Sequence, residues 1–172
     1  MFRKLNLEKC LMGKLSPIKI LFVPHIMPSH MIPLISLAFK LDPNNFRSAF
    51  LVPETYHHLF QNLEDILCLD IDRNRMGHLL KPEMMAINRF KPNVIVDDLN
   101  YSAFSSRIMR IPRISIVRRG ILPFETHTDG YRHSSDIIEY FKELNGADIS
   151  GLTDWKPKTV SDLFQGDVNI IP

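Results

Sequence analysis

Short apolar runs alternate with amphipathic stretches along most of the chain. Lys19-Ile20-Leu21-Phe22-Val23, closed by Pro24, has the length and composition of a buried strand. Beyond a loop, residues 33–41 place Leu34, Leu37, Ala38 and Leu41 at helical spacing, with Pro33 tolerated in a first turn. The turn cluster Asp42-Pro43-Asn44-Asn45 stops that helix. The pattern then predicts a strand over 46–52 ended by Pro53, a helix over 54–63 and a third strand over 66–71. After a polar stretch at 72–78 comes a helix over 82–90. Val94-Ile95-Val96 is a fourth strand, opening onto Asp97-Asp98. Residues 101–110 read as a helix stopped by Ile111-Pro112, and 114–117 as a fifth strand. Ile137, Ile138, Phe141 and Leu144 share one side of a helix over 135–144, with Gly146 beyond its end. A last strand is predicted over 168–171.

Alternating strands and helices of this kind indicate βαβ units. Right-handed crossovers then give an α/β, Rossmann-like fold: an open, mostly parallel, doubly wound sheet with helices on both faces. Ligands in such sheets sit beyond the carboxyl ends of strands where the strand order reverses. In the order 3-2-1-4-5, the loop after the first strand (24–31) and the segment after the fourth (97–101) flank that point. Residues about 70 positions apart would face each other across one crevice.

Composition narrows the field. The 172 residues are 45% hydrophobic and 23% charged, one domain's worth of ordinary globular sequence rather than a disordered tail. Twenty-one Lys+Arg against 19 Asp+Glu leave a formal charge of +2, too small to imply a nucleic-acid partner, and base-stacking aromatics interleaved with a basic patch are missing. Two cysteines, Cys10 and Cys68, fit neither a disulfide framework nor a zinc site, so a reducing, cytoplasmic location is expected. No apolar run is long enough for a signal-peptide core or a membrane span. Residues 1–17 read as a flexible basic leader and 18–172 as the folded domain.

Two loop histidines, His25 and His30, lie after the first strand, and Asp97 and Asp98 close the fourth. A histidine held by an aspartate can serve as a general base: the carboxylate fixes the ring tautomer and the other nitrogen takes a proton from a hydroxyl. His30 is better placed, next to the helix start. A histidine in a polar loop is more often simply solvated, and on the residue pattern alone that reading leads.

Three segments carry a resemblance. Ile20-Leu21-Phe22-Val23-Pro24, followed by Ser29-His30-Met31-Ile32-Pro33-Leu34, resembles the opening of GT-B glycosyltransferases of the UDP-glycosyltransferase and macrolide-glycosyltransferase group, although most members have Gly where Ser29 stands. Lys91-Pro92-Asn93-Val94-Ile95-Val96-Asp97-Asp98, the helix after it and Ile111-Pro112 are similar to a second block of that family, with Arg110 where Gly is usual. The segment 162–172 looks like the one closing the family's N-terminal domain.

This resemblance implies that residues 18–172 form the acceptor-binding half of a GT-B fold, with the donor-binding half absent. It implies a catalytic pair in which His30 is the base and Asp98, rather than Asp97, orients it. The reaction would be an inverting transfer from a UDP- or dTDP-linked sugar to a hydroxyl of a small hydrophobic acceptor, without a cofactor or a metal. Pro28, Ser29, Met84, Met85, Asn100, Arg118 and Phe124 are the expected substrate-binding residues. His30→Ala is expected to abolish transfer in an assembled enzyme with little loss of stability. The family's nucleotide-sugar motif is missing, as are GxGxxG and GxxxxGK[ST], in keeping with only seven glycines. The chain alone is expected to be inactive and to need a separate donor-domain chain or a homo-oligomer. The alternatives are a non-catalytic glycosyltransferase-like binding or auxiliary subunit, and a generic α/β binder.

Other features have blander readings. Arg107, Arg110, Arg113, Arg118 and Arg119 are expected to be a solvated helix face and loop more than an anion site. His57 and His58 are adjacent in a predicted helix and point too far apart to share a metal. Asp70-Ile71-Asp72 has the form of a metal-binding DxD, but it ends the third strand in a family branch without such a motif.

Overall fold

A computed structural model of the chain describes residues 16–24, 28–60, 66–70, 80–98, 102–117, 153–155 and 166–170. In chain order the elements are β1 (Ile18–Val23), α1 (Pro28–Phe39), β2 (Phe46–Val52), a 3-10 helix (Glu54–Phe60), β3 (Ile66–Asp70), α2 (Leu80–Phe90), β4 (Val94–Asp98), α3 (Ala103–Met109), β5 (Arg113–Ile116) and β6 (Val168–Ile170). The strands form one parallel sheet in the order β3-β2-β1-β4-β5-β6. This is the expected α/β, Rossmann-like architecture, with β6 added beside β5.

Strand alternation sorts the core into two layers. Ile20 and Phe22 of β1, Phe50 and Val52 of β2 and Val96 of β4 face α1, where Met31, Leu34 and Ala38 cover them. Phe22 and Phe50 stack across β1 and β2 with ring centroids 4.8 Å apart. The intervening residues Leu21, Val23, Ala49, Leu51 and Ile95 face the other way, under Ala86, Ile87 and Phe90 of α2. Both faces of β1 and β2 are therefore apolar and buried, which is why they read as continuous hydrophobic runs rather than alternating ones.

Three boundaries differ from the sequence expectation. Helix α1 begins at Pro28, so Pro33 lies inside it rather than in its first turn. Pro28 supplies the early proline that a helix start accepts, and Pro33 leaves the Ser29 carbonyl without its usual i+4 donor. The stretch after β2 is a 3-10 helix, whose donors include Tyr56 N–H to the Pro53 carbonyl at 2.9 Å. Strand β4 runs on through Asp97 and Asp98, which are its last two residues and not a loop. The helix expected over 135–144 lies outside the described residues.

Helix α3 ends on Arg110 in the left-handed region, φ 54° and ψ 43°, with Ile111 N–H returning to the Ser106 carbonyl at 2.9 Å. Glycine adopts that conformation without strain, so an arginine there carries a backbone cost.

Strand β6 is held beside β5 by Asp167. Its carboxylate accepts from Arg113 N–H at 2.8 Å and from Arg107 Nη1 at 3.0 Å. Gly166 precedes it where a Cβ would lie 2.5 Å from the Arg113 carbonyl oxygen, so only glycine allows this approach.

Candidate functional site

Strand β1 pairs with β2 on one side and with β4 on the other, so the strand order reverses between β1 and β4. Helix α1 starts just beyond the carboxyl end of β1 and carries His30 in its first turn. Asp98 ends β4 on the face that α1 covers, the same parity as Val94 and Val96. The two side chains meet there, with His30 Nδ1 2.6 Å from Asp98 Oδ2. Both are largely buried, His30 at 9% and Asp98 at 4% exposure. A carboxylate can only accept, so Nδ1 carries the proton and donates it to Asp98, which places the ring's lone pair on Nε2. Asp98 Oδ1 is also buried, and no donor among the described residues reaches it.

Asp97 has the opposite parity and lies under α3. Its Oδ2 accepts from Ser102 Oγ at 2.7 Å and Ser102 N–H at 3.3 Å, and its Oδ1 accepts from Ser115 Oγ at 2.7 Å. Arg113 Nη1 lies 3.4 Å from Oδ2. Desolvation of the fully buried carboxyl raises its pKa from the ordinary 3.8, opposed by the Arg113 charge and by the bonds from Ser102 and Ser115. Burial lowers the Arg113 pKa in turn, against the pull of Asp97.

Arg113 corrects one expectation. It is 3% exposed, not part of a solvated face, because β5 sends it inward beside Asp97 under α3. Arg107 does lie at the surface, paired with Asp167 and stacked over the Trp155 ring at 5.7 Å.

Of the expected substrate-binding residues, Pro28 and Ser29 are exposed in the α1 first turn, next in sequence to His30. Met84 and Met85 are on α2, on the opposite face of the sheet from His30. Met84 is half-buried in a cluster with Leu80, Ala103, Phe104 and Trp155, whereas Met85 is exposed. Asn100, Arg118 and Phe124 lie outside the described residues, as do His25, Arg119 and the leader through residue 15. His57 and His58 each donate to a backbone carbonyl, of Val52 at 3.3 Å and Thr55 at 2.9 Å. Among the described residues no group of three or more His, Cys, Asp or Glu is arranged to hold a metal ion. No helix among them is long and apolar enough to cross a membrane.

The buried side chains of Ser102, Ser105, Ser115 and Glu83 escaped the sequence reading. Ser105 Oγ donates to Glu83 Oε2 at 2.9 Å. Their signal was present only as polar residues at positions whose neighbours are apolar, such as Ser115 between Ile114 and Ile116.

No family model matches the sequence, and no curated protein is significantly similar to it. Solved structures are similar in fold. The spinosyn rhamnosyltransferase SpnG superposes with a TM-score of 0.54 at 12% identity, over 76% of this chain and 42% of its own. SsfS6, a glycosyltransferase from Streptomyces sp. SF2575, gives 0.52 at 15% identity, over 82% and 48%. UGT73P12 of Glycyrrhiza uralensis, solved with glycyrrhetinic acid 3-O-monoglucuronide, gives 0.50 at 15% identity, over 59% and 28%. The fold is shared with glycosyltransferases. This chain spans less than half the length of each of them.

Proposed function

We propose that this chain is the acceptor-binding part of an inverting glycosyltransferase, and that His30 is its general base. The observation that carries the reading is the buried His30–Asp98 pair, 2.6 Å apart, at the point where the strand order reverses. The fold shared with transferases and the family-like segments around both residues support it.

The chemistry follows from the tautomer. His30 Nε2 takes the proton of an acceptor hydroxyl as that oxygen attacks the anomeric carbon of a UDP- or dTDP-linked sugar. The new C–O bond forms on the face opposite the departing nucleotide diphosphate, which leaves with the electron pair of the broken bond and inverts the centre. Asp98 holds the ring in the donating tautomer at Nδ1 and stabilises the imidazolium as it forms. Pro28 and Ser29, exposed beside His30, would contact a small hydrophobic acceptor at the mouth of this site. The nucleotide-sugar would be held mainly by a donor-binding domain, on this chain's continuation or on a partner chain.

The test is transfer itself. With a complementing donor domain present, His30→Ala is expected to slow sugar transfer by roughly two to four orders of magnitude. Near-wild-type transfer by that variant would sink the reading.

A further inference from the structure

Four buried polar side chains on the far face of the sheet have no part in the proposed proton transfer: Asp97, Ser102, Arg113 and Ser115. Their position is costly. Asp97 pairs in register with Val23, and its neighbour on the same face of β4 is Ile95, both in the apolar layer beneath α2. An apolar residue at position 97 would extend that layer, and well-packed apolar groups in place of a buried ion pair are often the more stable arrangement. Stability alone therefore does not account for the cluster.

Its geometry does. The Asp97 carboxylate gathers donors from three residues: Ser115 and Arg113 on β5, and both N–H and Oγ of Ser102 at the start of α3. One carboxylate at the end of β4 is thus tied both to the residue before α3 and to β5. The register Asp97↔Ser115 and Asp98↔Ile116 fixes the last two residues of β4 against β5. On its own side Asp98 has little to hold it. Among the described residues His30 is the partner of Oδ2, and none reaches Oδ1.

We infer that Asp97, with Ser102, Ser115 and Arg113, is a positioning residue that anchors the end of β4 from behind the sheet, so that Asp98 meets His30 at hydrogen-bond distance. Its functional meaning rests on the base assignment above, but the geometry can be tested without it. A histidine N–H donated to a carboxylate gives a far-downfield proton resonance in NMR. In the full-length chain that resonance is assigned by its loss in Asp98→Asn. Ser102→Ala removes one bond to the anchor and Asp97→Ala removes them all. Ile95→Val, on the same strand and face but outside the cluster, matches them as a purely destabilising change.

The expected result is an upfield move of the resonance and exchange with water at least about tenfold faster in Asp97→Ala, the loss of roughly one hydrogen bond's worth of protection. The effect is smaller in Ser102→Ala and absent in Ile95→Val. Should Asp97→Ala fail to fold, Ser102→Ala decides. An unchanged resonance in a folded Asp97→Ala or Ser102→Ala, or an equal change in Ile95→Val, overturns the positioning role. Absence of the resonance from the unmodified chain overturns the pair, and the positioning role with it. Failure of the glycosyl-transfer reading shows instead in the His30→Ala rate and leaves the resonance untouched.

Discussion

Asp97 and Asp98 are adjacent in sequence, chemically identical and both buried, yet the sheet gives them opposite surroundings. Asp98 faces α1 and has His30 as its one hydrogen-bond partner among the described residues. Asp97 faces α3 and is met by two serine hydroxyls, a backbone N–H and a guanidinium. One carboxylate has a single side-chain partner, and the other is held in a network. A crowded network resists change because each bond supports the rest, whereas a pair with spare valence adapts. A sparsely and a densely bonded carboxylate thus stand next to each other in sequence, on opposite faces of one strand.

The largest test of the contrast removes the cation from the locked side. Arg113→Met leaves Asp97 buried without its counter-ion and is expected to cost about 3 kcal/mol or more in urea denaturation. Adding Asp97→Asn to that variant should recover part of the loss. Full additivity of the two changes would show that they do not share one network.

On the open side, His30→Ala now carries a stability cost that the sequence did not suggest. It strips Asp98 of its partner in a buried setting, so a loss of about 1–3 kcal/mol is expected, smaller in the double variant His30→Ala/Asp98→Asn. Equal melting temperatures for His30→Ala and the unmodified chain would show that water reaches Asp98 freely.

Titration of Asp97 tests the network side further. Desolvation raises the Asp97 pKa above 3.8, so between 3.8 and the raised value the folded state holds more protons than the unfolded one. The contribution of Asp97 to stability is therefore greatest below 3.8 and is lost as pH rises through the raised value. Relative to Asp97→Asn, the unmodified chain should lose stability with rising pH, by at most about 1.4 kcal/mol per pH unit for a single group. A difference independent of pH across that window would mean that the bonds from Arg113 and the serines cancel the burial.

The smallest expected effect is at Arg110, in the turn that leads from α3 into β5 and so to Arg113. Arg110→Gly relieves a left-handed residue and should raise stability by about 1 kcal/mol. A destabilised variant would indicate that the arginine side chain contributes more than its backbone costs.

Much of this was legible in the sequence. The continuous apolar runs around Leu21, Phe50 and Ile95 marked strands with both faces covered, and the alternation of elements predicted the parallel sheet and the β1–β4 neighbourhood. The resemblance selected His30 and Asp98. The start of α1 differs from its sequence pattern because Pro33 has the form of a start signal, although a second proline at position 28 occupies that place.

What the sequence by itself determined, then, is periodicity: which stretches are strand or helix. That Asp97 and Asp98 point to opposite faces came with the structure, because β4 runs on through both and side chains in a strand alternate. The tertiary structure alone decided who meets them. His30 reaches Asp98 across a sequence separation of 68, and Arg113 and Ser115 reach Asp97 only because β5 pairs with β4 in one particular register. Burial is likewise a property of the assembled layers. Arg113, in a basic run that reads as solvated, is interior because β5 turns it under α3 toward a carboxylate, a pairing that exists only once the sheet has formed.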